Sequence, residues 1–272
     1  MPELPEVETV RKGIAKHITK SKVLRVICRR KNLRWPIPVK SLEKSLPGQI
    51  VESVDRRGKY LLLRFQNGCL ILHLGMSGTL LLLANKKKLR KHDHFELHLE
   101  SNQILRLNDP RRFGAVLWEK NDPLEHRLLK SMAPEPLTRL FNKNWLYKKL
   151  RGRNASIKSL IMDNKIVAGV GNIYANESLH RAFISPNKAG KSLRKQDCGV
   201  LVMAIKTTLK NAIHCGGSTL RNYMSSDGNV GSFQLRYQVY NREGLDCSRC
   251  GQSIVCCKYN QRATYYCPKC QR

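Results

Sequence analysis

His92-Asp93-His94-Phe95-Glu96-Leu97-His98-Leu99-Glu100 is the stretch that decides the fold of the N-terminal half. Phe95, Leu97 and Leu99 alternate with His94, Glu96, His98 and Glu100, a period of two that belongs to a strand. Around it, residues 59–65, 69–74 and 79–83 are short apolar runs separated by glycine-containing turns. Together they predict a β-sandwich or flattened barrel over residues 23–118. Ahead of that, Val7, Val10, Ile14 and Ile18 recur at three- and four-residue steps and Pro5 suits a first helical turn, so a helix is expected over 5–18.

Prolines 123, 134 and 136 then mark a hinge, and the period shifts. Ile157, Leu160 and Ile161 fit one helical face, and further helices are expected over 173–179 and 193–213. Residues 216–233 are rich in Gly, Ser and Asn and read as a mobile loop. The fold class is α+β. A β-sandwich domain with an N-terminal helix spans 1–130, a linker 131–145, a helical domain 146–235 and a cysteine-rich tail 236–272. A basic cleft between the domains is expected.

Composition narrows the partner. Lys plus Arg total 50 against 20 Asp plus Glu, a net charge of +30 over 272 residues, while 41% hydrophobic content is enough for a core. Such a charge points to a polyanion, nucleic acid first and an anionic membrane surface second. No apolar run approaches the roughly 18 residues that cross a bilayer. The N-terminus is acidic and proline-marked, unlike a secretory signal, so an intracellular chain is expected. In a reducing compartment, ten cysteines predict metal binding by a patterned subset rather than a disulfide scaffold.

That subset is Cys247, Cys250, Cys267 and Cys270: C-x2-C, sixteen residues, C-x2-C. Each pair can place two thiolates about 2.3 Å from one tetrahedral Zn²⁺. Four ligands leave no open position, so one structural zinc is expected. Cys256 and Cys257 lie in the spacer and are not assigned as ligands. Cys28, Cys69, Cys198 and Cys215 read as buried small residues.

At the other end, Pro2-Glu3-Leu4-Pro5-Glu6 carries a second chemistry. Removal of Met1 would expose Pro2 as a secondary amine with a pKa near about 8. Such an amine attacking a sugar C1′ forms an iminium that cannot be discharged by losing a proton from nitrogen. Glu3 and Glu6 are close enough to move protons there. Proline and acids are also ordinary at a helix start. Gly169-Val170-Gly171-Asn172 lacks a dinucleotide fingerprint and reads either as a tight turn or as a helix N-terminus able to take a phosphate. Residues 108–114, Asn-Asp-Pro-Arg-Arg-Phe-Gly, form a turn with two guanidinium groups and an aromatic. That turn either is solvated or fills a gap in stacked bases. His92-Asp93-His94 reads as a polar strand edge, because no third ligand is spaced to make a metal site. Lys86-Lys87-Lys88 and Lys148-Lys149 add basic surface.

The opening residues 2–9, Pro-Glu-Leu-Pro-Glu-Val-Glu-Thr, resemble the N-terminus of the bacterial formamidopyrimidine-DNA glycosylases, which remove 8-oxoguanine and cleave abasic sites. Arg57-Gly58-Lys59-Tyr60-Leu61-Leu62, His73-Leu74-Gly75-Met76-Ser77-Gly78, residues 108–114, residues 162–179 and the cysteine tail are similar to the same family. Endonuclease VIII, the sister enzyme for oxidised pyrimidines, usually opens Pro-Glu-Gly-Pro-Glu, so Leu4 argues for the purine-directed branch. The resemblance implies a helix–two-turn–helix segment, a β-hairpin zinc finger and a monomeric, cytoplasmic enzyme acting on double-stranded DNA that contains oxidised purines. It implies Pro2 as Schiff-base nucleophile, Glu3 as general acid/base, Glu6 in support, Lys59 at the phosphate during β-elimination and Arg262 in the second elimination. It further implies DNA contacts by His73 and His92. Met76, Arg111 and Phe113 would fill the hole left by an everted base, and Arg153, Lys158 and Asn172 would hold phosphates. Residues 218–223 would close over that base. Tyr240-Asn241-Arg242 stands where the family often has Tyr-Gly-Arg, so the approach to the hairpin is expected to turn differently. A pyrimidine-directed enzyme and a non-catalytic zinc-containing nucleic-acid binder are the rival readings.

Overall fold

The structure, a computed structural model, describes residues 2–84, 88–218 and 232–272. Residues through Lys130 form one unit, and the described residues from Ser131 onward form a second.

In the first unit, helix α1 (Leu4–Ile18) is followed by β1 (Val23–Cys28), α2 (Val39–Ser45), β2 (Ser53–Arg57), β3 (Tyr60–Phe65), β4 (Gly68–His73), β5 (Thr79–Ala84), β6 (Asp93–Leu99), β7 (Gln103–Asn108) and β8 (Ala115–Glu119). Two four-stranded antiparallel sheets result, ordered β2-β3-β4-β8 and β1-β6-β7-β5. The apolar positions of the alternating strands, Leu61 and Leu63, Leu70 and Leu72, Phe95, Leu97 and Leu99, share one core with Val7, Val10, Ile14 and Ile18 of α1. Burial of each such side chain contributes about 1.5–3 kcal/mol.

The polar positions depart from expectation. Asp93 and His94 are buried rather than a polar edge, and β6 is buried along both faces. The reason is internal pairing: Arg106 of β7 faces both Glu96 and Asp93, and His94 Nε2 lies 3.0 Å from the Asp109 carbonyl oxygen, so these groups are satisfied away from water. Alternation marks the strand correctly but does not tell a solvated polar face from an internally paired one.

On α1, Glu8 meets Arg11 at 2.7 Å and Arg56 of β2 at 2.9 Å. Burial alone would raise the Glu8 carboxyl, but the two guanidinium groups hold it below its ordinary 4.5. A depressed carboxylate stabilises the fold above its unfolded pKa, and that stability is lost as pH falls through the folded value. Thermal melts should therefore show Tm dropping below about pH 4.5, and Glu8→Gln should flatten that acid limb while lowering Tm at pH 7. An unchanged acid limb would contradict the linkage.

The second unit holds α3 (Lys143–Leu150), α4 (Ile157–Ile161), α5 (Asn172–Arg181) and α6 (Lys195–His214), then the hairpin β9 (Val255–Tyr259) and β10 (Arg262–Tyr266). Asn142 caps α3 by accepting the Asn144 and Trp145 amides, and Ser156 caps α4 through the Ser159 amide. Phe141, Leu146, Ile161, Tyr174, Leu179, Leu201 and Ile205 are buried in it. The cysteine module adds a small cluster of Val239, Ile254, Cys247 and Cys267. Cys69 and Cys198 are buried as expected, with burial pushing their thiols up to about 12 and about 11. Cys28 and Cys215 are only half-buried. Among the described residues no helix is long and apolar enough to cross a membrane. Met1, Lys86, Lys87 and residues 219–223 of the expected closing loop lie outside the described residues.

Candidate functional site

The N-terminus is built by a reciprocal cap. Glu3 is the N-cap of α1; its side chain accepts from the Glu6 amide, and its own amide donates to Glu6 Oε2 at 2.9 Å. Both acids are about 1% exposed, and Pro2 is buried immediately before them. The helix-start reading and the chemical reading therefore use the same atoms. The capping box holds two carboxyl groups at fixed positions next to the residue whose nitrogen would react.

Lys59 sits half-buried in the two-residue turn that joins β2 to β3, after Gly58 at φ +57°. At the end of β4, His73 packs against Tyr60 with ring centres 4.6 Å apart, and its Nδ1 accepts the Gly75 amide at 3.0 Å. Burial, and then the Lys59 and Arg34 charges, push His73 down to about 4. At neutral pH it is an uncharged ring whose proton sits on Nε2, a donor rather than a cation.

Gly75, at φ +63°, lies so close to the 108–114 turn that a Cβ there would stand 2.5 Å from the Phe113 carbonyl carbon. A Cβ at Gly114 would meet the His73 carbonyl oxygen at 2.7 Å. Two glycines thus let the turn bearing Met76 pack on the turn bearing Arg111 and Phe113. Asp109, fully buried, closes the second turn by accepting the Gly114 amide at 2.7 Å. Arg111 stacks on Phe113 at 4.9 Å, while Met76 and Phe113 remain 41% and 43% exposed. Apolar side chains held out into water on glycine-packed turns suit insertion into an apolar stack. His92 lies half-buried just ahead of β6, its carbonyl accepting the Asp109 amide at 3.0 Å.

In the second unit, three side chains converge on β10. Lys158 of α4, 4% exposed, donates through Nζ to the Ala263 carbonyl and the Thr264 hydroxyl, both at 2.7 Å. Asn172, the first residue of α5, donates to the same carbonyl at 3.0 Å, and its buried Oδ1 has no hydrogen-bond partner. Asn176, one helical turn on, accepts the Tyr265 amide at 3.2 Å. The Lys158 ammonium therefore faces the hairpin, not open solvent. Arg262, adjacent to the gripped carbonyl, is exposed, with one guanidinium nitrogen 3.8 Å from Met162 Sδ. Arg153 is exposed on the loop between α3 and α4.

The four cysteines of the two C-x2-C pairs come together, all sulfurs within 4.8 Å of one another. A tetrahedron with about 2.3 Å metal–sulfur bonds has sulfur–sulfur edges near 3.8 Å, and the Cys250–Cys267 and Cys247–Cys270 separations are 3.5 and 4.0 Å. The set fits one four-coordinate metal ion. His180 of α5, fully buried and pushed down to about 4 by burial and by Arg249, Arg181 and Arg242, places Nε2 3.5 Å from Cys247 Sγ. Cys256 and Cys257 lie on β9 outside the set. Asn241 adopts φ +58°, the left-handed conformation that favours glycine, so the replacement leaves the turn available rather than redirecting it. Just before it, buried Glu177 accepts the amides of Gln238, Val239 and Tyr240 at 2.9–3.2 Å. Asn176, Glu177, His180 and Thr264 carry no signal in spacing or composition, because they support other residues across long sequence separations.

Two family models match the chain: the formamidopyrimidine-DNA glycosylase N-terminal domain over residues 1–116 and the H2TH domain of the same glycosylases over 132–224. A formamidopyrimidine-DNA glycosylase of Nitrosococcus oceani is 49% identical over 271 residues, covering all of both chains. The Lactococcus lactis Fpg in complex with DNA containing an abasic site superposes with a TM-score of 0.92 at 35% identity, again over the whole of both chains. The Lactococcus lactis protein in complex with Fapy-dG-containing DNA superposes at 0.90 and 35% identity, over 99% of this chain and all of that one.

Proposed function

The chain belongs to the formamidopyrimidine-DNA glycosylase family, and from that premise we propose a bifunctional reaction on duplex DNA: excision of an oxidised purine followed by β,δ-elimination at the abasic sugar. The observation that carries the proposal is the buried Pro2 set beside the reciprocally bonded Glu3 and Glu6.

With Met1 removed, the Pro2 nitrogen attacks C1′, the C1′–N9 bond breaks and the base leaves with that electron pair and a proton. Glu3 delivers a proton to the ring oxygen as the sugar opens, and the cationic iminium remains on Pro2. Loss of a C2′ proton then expels the 3′ phosphate, with Lys59 beside it. A second elimination expels the 5′ phosphate, which Arg262 holds. Water finally releases Pro2 from the sugar remnant. Glu6 orients Glu3 through the cap. His73 and His92 contact the DNA backbone. Met76, Arg111 and Phe113 occupy the gap left by the everted base, which a duplex enzyme must vacate before it can react. Arg153 and Asn172 contact phosphates, and Lys158 fixes the hairpin that presents Arg262. The thiolate set takes one Zn²⁺, which supplies cross-linking of the module and no chemistry. The protein acts as a monomer in the bacterial cytoplasm, on the nucleoid. The full-length likeness to glycosylases, and to neighbours bound to Fapy-dG and abasic DNA, supports this reading over both rivals.

The test is borohydride trapping. Protein lacking Met1 is mixed with a duplex carrying 8-oxoguanine opposite cytosine, reduced and digested. The expected result is one covalent adduct, on Pro2. An adduct on a lysine, or none from protein that binds the duplex, would overturn the nucleophile.

A further inference from the structure

Behind β6 lies a closed set of ions that the proposed reaction does not use. Arg106 of β7 is 2% exposed. Its Nε donates to Glu96 Oε1 at 2.5 Å, and its Nη1 donates to the Lys88 carbonyl at 3.1 Å and lies 3.2 Å from Asp93 Oδ2. Glu96 Oε2 in turn meets Arg29 at 2.9 Å and His98 Nε2 at 3.0 Å. Asp93 accepts the Arg90 amide at 2.8 Å on one oxygen and the Asn108 side-chain amide at 2.8 Å on the other. Two carboxylates thus face two guanidinium groups, and the cluster is close to neutral.

A buried ion cluster gains little over apolar packing of the same volume, so stability alone is a weak reason to keep one. What it fixes is geometry. Apart from strand neighbours, its hydrogen bonds go to two segments. The first is 88–92, which exposes Lys88, Arg90 and Lys91 and ends at His92. Arg106 holds its first carbonyl, and Asp93 holds the Arg90 amide and donates back to the Arg90 carbonyl at 3.2 Å. The second is the 108–114 turn, reached through Asn108; the next residue, Asp109, ties that turn to the first segment, its amide donating to the His92 carbonyl, and its carbonyl oxygen lies 3.0 Å from His94 Nε2.

We infer that Arg106, acting through Asp93, is a positioning residue: it folds segment 88–92 into a phosphate-gripping loop and sets His92 against the DNA backbone. The inference rests on the glycosylase reading.

A double-mutant cycle on the full chain tests it, with duplex affinity measured across salt and excision measured in single turnover. Arg106→Lys keeps the charge but loses the forked geometry. It should weaken binding about tenfold and reduce the log–log salt slope by about 1, with excision at saturating enzyme changed less than about threefold. In a background where Lys88, Arg90, Lys91 and His92 are all replaced by alanine, Arg106→Lys should add less than about twofold, because the segment it positions then has no phosphate contact left to lose. Additive losses would overturn the inference, as would a four-alanine segment that leaves binding unchanged. If Arg106→Lys does not fold, Asp93→Asn/Arg106→Gln removes one cation and one anion together and should show the same non-additivity with the four-alanine segment. A wild-type chain that neither binds nor excises from an oxidised-purine duplex would instead overturn the underlying reading, and the inference with it.

Discussion

Replacing Pro2 by glycine should lower single-turnover strand cleavage by at least about a hundredfold, the range of a lost covalent route, while leaving duplex affinity within a few-fold. Glycine still presents an amine, so the variant separates the secondary amine from the amine as such. An imine formed by glycine can lose its nitrogen proton and with it the charge that draws electrons from C2′. The proline iminium cannot. The backbone of α1 should tolerate the change, because the cap is made by Glu3 and Glu6 and not by the Pro2 ring. The measurement is a burst experiment on an abasic duplex, paired with anisotropy on the same duplex made uncleavable. Near-normal cleavage by the glycine variant would remove Pro2 from the chemistry.

Metal removal should have the opposite signature: binding lost, the first unit intact. Among the described residues the module's buried apolar cluster is four residues, two of them the candidate ligands Cys247 and Cys267, with Cys250, Tyr265 and Cys270 packed partly buried against it. So small a core does not hold a segment of this length by itself, and on the proposed reading metal–thiolate bonds supply its folding energy. Chelation should release the hairpin that carries Arg262 and weaken duplex binding by about two orders of magnitude. Melting of the sandwich should be unchanged, and Zn²⁺ added back should restore binding. Affinity unchanged within about threefold in protein shown by mass spectrometry to be metal-free would sink this account.

Much of this was legible in the chain. The period-two run at 95–99 and the three- and four-residue steps from Val7 to Ile18 point to a sandwich with a leading helix, and both share one core in the structure. The four cysteines could be selected from ten by spacing alone, because a tetrahedral ion accepts only short, paired loops. What spacing could not reveal is where polar groups end when they turn inwards. Asp93 looked like a strand edge and is buried. Lys158 looked like a phosphate ligand, yet its ammonium meets the Ala263 carbonyl, 105 residues away. Such partners lie far along the chain and leave no period. Asn241 in place of glycine showed the converse: asparagine reaches the same backbone region, so the altered residue does not alter the turn.

The doubly buried strand at 93–99 implies that mutational drift there follows two rules in alternation. At Phe95, Leu97 and Leu99 a neighbour must compensate for volume. At Asp93 and Glu96 it must compensate for sign. Exchanging Glu96 for a neutral residue would take the carboxylate from Arg29, 67 positions distant, and leave Arg106 with Asp93 alone, a surplus of one cation unless Arg29 or Arg106 changed in step. Among homologous chains, one face of this strand should vary by size in small increments, and the other by paired replacements of opposite charge.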